Sequence, residues 1–270
     1  MTEHNDYSYT HPLIERYASS EMQSIFSQKQ KYGTWRRLWL ALAETQKELG
    51  LSITSEALDQ MRQTLDDLDL SKASDYESRF RHDVMAHVHL FGDMAPAAKG
   101  IIHLGATSAF ISDNTDLILH REALTLIRDR IVRCASQLAK FASTYKDLPT
   151  LGFTHFQPAQ PTTVGKRATL WLQDFMLDIE EVEFRLKTLR FRGAKGTTGT
   201  QASFLELFEG DTAKVDELDH AIANRMGFTE SFSVTGQTYP RKIDAQILSS
   251  LANVAVSASK MGHDLRLLAN

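Results

Sequence analysis

The sequence predicts an all-α protein: a small helical amino-terminal domain, residues 1–107, followed by a bundle of long helices, residues 108–270. Three observations carry that reading. Three stretches of the second half repeat apolar residues in alternating steps of four and three, the seam of helices packed at shallow angles. Helices of about 30 residues would run roughly 45 Å, far beyond the mean globular helix, which favours a long bundle over a compact α/β arrangement. No run of alternating apolar and polar residues reads as a convincing strand.

The elements follow in order. From Thr34 to Gly50, one stripe is formed by Trp35, Leu38, Trp39, Leu42 and Leu49, with Gly50 as a stop signal. Ser71 to Phe91 is expected to be a second helix, carrying Phe80, Val84, Val88 and Phe91. After a capping run Ser112-Asp113-Asn114, the positions Leu117, Leu124, Ile131, Leu138 and Tyr145 recur every seven residues, with Ile127, Cys134 and Phe141 as companion row. Ala168, Trp171/Leu172, Phe175, Ile179, Val182, Leu186 and Leu189 form the next seam, and Ile247, Leu251, Val254, Ala258, Met261, Leu265 and Leu268 the last. That final repeat is still in register at Asn270, with no cap beyond it, so the chain is expected to be truncated.

Composition narrows the function classes. At 42% hydrophobic and 24% charged residues, the chain is globular rather than disordered. Thirty Lys and Arg against 34 Asp and Glu give a net charge of -4, which provides no electrostatic footprint for nucleic acid, while a local basic pocket for a small anion stays open. Met1 to Leu13 has no apolar signal region, and no stretch approaches the roughly 18 apolar residues of a membrane span. The single Cys134 suits a reducing cytoplasm. Neither membrane nor nucleic acid is an expected partner.

Polar, glycine-bearing segments separate the long helices: His103 to Ser108, Leu151 to Pro161, Arg192 to Gln201 and Val234 to Arg241. Hydroxyls, amides and free N–H groups at helix starts bind carboxylate or phosphate, although any one such loop is also ordinary turn and cap chemistry. Gly193-Ala-Lys-Gly lacks the spacing of a phosphate loop. His82, His87 and His89 flank Asp83, yet their separations do not produce the i, i+4 face of a helical metal site, so no metal is expected. His155 stands apart, between Thr154 and an aromatic-proline stretch, in a loop expected to be rigidified by Pro158 and Pro161. An imidazole held rigidly suits general acid-base chemistry; a structural hydrogen bond is the competing reading.

Taken together, Arg16-Tyr17-Ala-Ser19, Arg81-His82-Asp83-Val-Met-Ala-His87, Gly105-Ala-Thr-Ser108, Gly152-Phe-Thr-His155-Phe-Gln-Pro-Ala-Gln160, Lys195-Gly-Thr-Thr-Gly-Thr-Gln201 and Thr235-Gly-Gln237-Thr-Tyr resemble the adenylosuccinate lyase family. The resemblance runs from Arg16 to Asn270 and places the chain in the fumarase and aspartase superfamily. It implies a long-helix bundle of that type, here truncated, and a lyase of purine nucleotide biosynthesis. Such an enzyme releases fumarate from adenylosuccinate, giving AMP, and from the related succinylocarboxamide ribonucleotide. No metal or organic cofactor is implied, and the partners are a nucleotide substrate and further copies of the chain in a homotetramer.

By the same resemblance His155 is the general acid and His82 supports the same region. Thr107 and Ser108 hold a carboxylate of the succinyl part, Thr154 is a further substrate-binding residue, and Gln237 is a second substrate donor. Arg16 and Tyr17 grip the phosphate, with Arg81 and Asp83 in the nucleotide pocket; the Arg fork suits phosphate. The family's catalytic base is a serine in a segment beyond the long helices, which these residues do not include, so the 270-residue chain alone is expected to be inactive. Two competing classes are another lyase of the superfamily, such as argininosuccinate lyase or aspartase, and a non-catalytic helical assembly. The set Arg16, Tyr17 and Arg81 discriminates against the first, and a continuation containing the serine segment would discriminate against the second.

Overall fold

The computed structural model describes residues 11–269. The chain folds into two compact units, Met1–Glu122 with Arg190–Tyr239, and Ala123–Leu189 with Pro240–Asn270.

The first unit is assembled from short helices with side-chain caps. After a π-helical turn at Leu13–Tyr17 come α1 (Ser20–Ile25), α2 (Gln28–Glu48), α3 (Ser55–Gln63), α4 (Leu70–Phe80) and α5 (Asp83–Met94). Ser19, Ser27, Thr54 and Asp69 each accept a backbone N–H from the third residue on, which satisfies a donor the helix cannot use itself. The stripe expected on the first helix is the core: Trp35, Leu38, Trp39 and Leu42 have no exposed surface. Trp39 meets Trp35 edge to face at 6.1 Å, and Leu218 and Ile222 of α9 (Thr212–Arg225) are fully buried in the same unit. Each such side chain contributes about 1.5–3 kcal/mol through burial. Arg36 is buried among them, stacked 4.7 Å above the Phe91 ring and donating to the Thr64 carbonyl; burial lowers its pKa to about 10.

The stretch expected to be one helix from Ser71 to Phe91 is two. Arg81 adopts a left-handed conformation (φ 54°) that ends α4, and His82 starts α5 as its cap. A 3-10 turn at Pro96–Ala98 leads to α6 (Ser108–Thr144). Ser112, Asp113 and Asn114 therefore lie inside α6 instead of capping it; Asp113 is 3% exposed and Asn114 fully buried. The short α8 (Ala202–Leu207) and α9, neither of which the apolar spacing singled out, complete the unit.

In the second unit, α6 continues and is followed by α7 (Val164–Thr188) and α10 (Lys242–Leu268). The expected seams supply its core: Leu124, Ile131 and Leu138 of α6, Ala168, Trp171, Phe175, Ile179 and Val182 of α7, and Ile247 of α10. Between α6 and α7 lies a difference from the sequence reading. The expected loop is an antiparallel hairpin of β1 (Pro149–Thr154) and β2 (Gln157–Thr163), irregular between Leu151 and Phe153. Pro158 and Pro161 stand opposite Phe153 and Leu151 in the ladder, and prolines in an edge strand hide the alternation by which a strand is recognised. So the chain is predominantly helical with one small sheet.

Thr107 does mark the entry into α6, but the compact units part at residues 122 and 123, inside that helix. The reason is the return of residues 190–239, whose backbone bonds to Asp113 and Asn114 and extends the first unit beyond the opening turns of α6. No helix among the described residues is long and apolar enough to cross a membrane.

Candidate active site

The site in the first unit is assembled at helix ends. His82, as cap of α5, accepts the Met85 N–H on Nδ1 at 3.4 Å. In the neutral ring the proton then sits on Nε2, which lies 3.3 Å from Ser108 Oγ and donates to it. Ser108 opens α6, where the first N–H groups and the helix dipole favour an anion. Its neighbour Thr107 accepts on Oγ1 from Gln237 Nε2 at 3.2 Å. Residues far apart in sequence thus converge, and His82 and Gln237 remain exposed. Asp83 follows in the first turn of α5, its Oδ1 accepting the Val84 N–H and lying 3.7 Å from His82 Nδ1.

Behind His82 stands His103. Trp39 Nε1 donates to its Nδ1 at 2.9 Å, and burial, with the charge of His82 acting on it, lowers the His103 pKa to about 4. His87 is likewise held neutral, near pKa 4, chiefly by burial and then by Arg36; it stacks on Tyr32 at 3.8 Å.

Arg81 is exposed at the break between α4 and α5. Arg16 and Tyr17 occupy the exposed turn Leu13–Tyr17, and their side chains take no part in the His82–Ser108 and Thr107–Gln237 bonds. Thr154 and His155 belong to the second unit. His155 and Phe156 form the tip of the hairpin, both exposed and both left-handed (φ 52° and 57°). A two-residue tip of this kind ordinarily selects Asn-Gly. Here it holds an imidazole and a phenyl in a conformation costing of order 1 kcal/mol or more each, a cost that functional sites tolerate.

Several residues that build this geometry escape a reading of the sequence. Asn114 Oδ1 accepts the N–H groups of Arg192 and Gly193 at 2.9 and 3.1 Å, and Asp113 Oδ2 accepts that of Tyr239 at 2.8 Å. A signal existed: counting back by sevens from Phe141, Cys134 and Ile127 reaches His120 and Asp113, polar residues in an apolar row. Lys195 is engaged with Asp219 at 2.7 Å with both side chains buried, so it does not point at a ligand as a phosphate-loop lysine does. Gly193 (φ 85°) is required there, since a Cβ would lie 2.1 Å from Asp219 Oδ1.

Residues 16–270 match the family model described as "Lyase". The chain belongs to the lyase family. It is 54% identical over 266 residues to adenylosuccinate lyase of Saccharomyces cerevisiae and 52% identical over 268 residues to that of Schizosaccharomyces pombe, in each case covering 97% of this chain and 55% of the relative. The chain thus spans about half the length of the curated relatives it matches. Among solved structures, fumarate lyase from Mesorhizobium sp. BNC1 superposes with a TM-score of 0.80 at 25% identity, covering 94% of this chain and 58% of that one. A second, β-carboxy-cis,cis-muconate cycloisomerase from Acinetobacter calcoaceticus, has a TM-score of 0.82 at 20% identity, over 96% of this chain and 60% of the other. These likenesses agree with the long-helix architecture.

Proposed function

We propose that these residues form the acid and substrate-binding part of an adenylosuccinate lyase of purine nucleotide biosynthesis. The reaction is a β-elimination that releases fumarate from adenylosuccinate, leaving AMP, and from the related succinylocarboxamide ribonucleotide. The observation that carries the reading is the pairing of His82 with Ser108 and of Thr107 with Gln237 at the start of α6. The identity to adenylosuccinate lyases over nearly the whole chain supports it.

In this reading a base removes a proton from the carbon beside a carboxylate, and the electron pair passes into that carboxylate. Thr107, Ser108 and the first N–H groups of α6 stabilise the negative charge where it accumulates, and Gln237 adds a donor. The pair then returns to form the carbon–carbon double bond of fumarate as the carbon–nitrogen bond breaks, and His155, on the exposed hairpin tip, protonates the departing nitrogen. His82 orients Ser108 through its Nε2 proton. Arg16 and Tyr17 bind the nucleotide phosphate, and Arg81 with Asp83 completes the nucleotide pocket. Thr154 contributes to substrate binding. The reaction as drawn requires no metal or organic cofactor from these residues. The base belongs to residues outside the 270, so a polypeptide of these residues assayed alone is expected to release fumarate at background rate. The working form is a cytoplasmic homotetramer joined through the long helices.

Assayed by fumarate absorbance in the protein that carries the base segment, His155→Ala is expected to lower kcat by about 10² to 10⁴-fold. Arg16→Ala is expected to raise KM instead. Near-normal turnover of His155→Ala on both substrates would return His155 to a structural role, and strong turnover by the isolated 270 residues would place a base among them.

A further inference from the structure

We propose that Arg192 is a positioning residue for the substrate site, acting through Gln237. Arg192 has no exposed surface, and its guanidinium donates to three carbonyls: Gly193 at 3.1 Å, Gly196 at 2.9 Å and Gln237. Its own N–H is held by Asn114 of α6. One residue, through its side chain and its own N–H, thus ties the glycine-bearing segment after Arg192, and the segment carrying Gln237, to the helix that presents Thr107 and Ser108. The two segments also touch directly, because a Cβ at Gly199 would lie 1.9 Å from the Thr235 carbonyl.

A buried guanidinium is costly. Burial lowers its pKa to about 10 against the attraction of Asp113 and Asp219, and its Nε has no hydrogen-bond partner among the described residues. A pair of apolar residues would hold the loops together without that cost. What a planar fork adds is geometry: it sets the Gln237 carbonyl, and with it the exposed side-chain amide that reaches Thr107 at 3.2 Å. Lysine cannot reproduce this, since a single ammonium on a flexible stem does not span carbonyls on two segments.

The inference rests on the reading of Gln237 as a substrate donor, and the test separates the two. Arg192→Lys and Arg192→Met, the latter filling the space without a buried charge, are made with and without Gln237→Ala in the protein that carries the base segment. Adenylosuccinate affinity, kcat and KM are measured, together with hydrogen exchange over residues 231–239. Either Arg192 variant that folds is expected to speed exchange there and to lower kcat/KM about tenfold. In the Gln237→Ala background the same substitution is expected to change kcat/KM by less than twofold, because its route to the substrate is gone. Unchanged exchange, or a full tenfold loss in that background, would overturn the inference. If Gln237→Ala alone left kcat and KM untouched, the reading of Gln237 would fail, and the route from Arg192 to the substrate with it. Faster exchange would then leave Arg192 a structural tie only.

Discussion

The two units solve the problem of burial differently. In the first, short capped helices enclose Trp35, Trp39, Phe91 and Leu42 completely, and even its buried cations find carbonyls. In the second, α10 is only partly covered: Ile247 is buried, whereas Leu265 and Leu268 of the same row are 46% and 44% exposed, and Leu248, Val256 and Leu267 outside it are 65%, 66% and 60% exposed. Phe141, Leu170, Leu177 and Phe184 on α6 and α7 are exposed as well. A packed unit and an open one in the same chain separate what stabilises a fold from what is available for association.

The largest expected effect breaks the first unit. Trp39→Ala removes a fully buried side chain and the donor to His103; a loss of about 3–5 kcal/mol is expected in denaturant melts. The fluorescence of Trp35 and Trp39 reports this unit and that of Trp171 the other, so single-tryptophan variants can follow each separately.

Acid sharpens the comparison further. His87 and His103 have folded pKa values near 4, below the ordinary histidine value of 6.5. The unfolded chain therefore takes up protons first, and the stabilisation, fully present above pH 6.5, is lost as pH falls from there towards 4. A loss on the order of 2 kcal/mol for each is expected in the first unit. His103→Gln should flatten part of that dependence.

Asp178, in the second unit, has the opposite sign. It is 5% exposed, one carboxylate oxygen has no hydrogen-bond partner among the described residues, and burial raises its pKa. Its ionisation opposes folding, so the contribution is most favourable at low pH and is lost as pH rises through the folded pKa. Asp178→Asn is expected to stabilise the second unit at pH 7 by about 1 kcal/mol, read from the Trp171 transition. A destabilised variant would show that the carboxylate is needed there as an ion.

The smallest effect on stability belongs to the open face. Leu248→Asp and Val256→Asp should alter melts by less than about 0.5 kcal/mol. If these helices form the proposed assembly, the same changes lower the sedimentation coefficient at equal concentration. A variant that sediments as the parent would remove this face from the interface.

The spacing of apolar residues by itself determined the helices and their inward rows, because helical periodicity is written along a contiguous stretch. Leu117, Leu124, Ile131 and Leu138 are buried as that spacing requires, and so are Trp35 and Trp39, whereas Tyr145, Leu265 and Leu268 of the same rows are exposed. The family resemblance also named His82, Thr107, Ser108 and Gln237 among its site residues. Only the tertiary structure decided how they meet. The break at Arg81 depends on a left-handed residue that any side chain but glycine resists, so no local preference announces it. The hairpin beneath His155 is hidden by prolines that lie along its edge strand. Asp113, Asn114 and Arg192 look like a helix cap and a loop cation in the sequence. Asn114 and the backbone it holds lie 78 and 79 residues apart along the chain, and a hydrogen bond across that distance leaves no local pattern, because it exists only when both segments are folded.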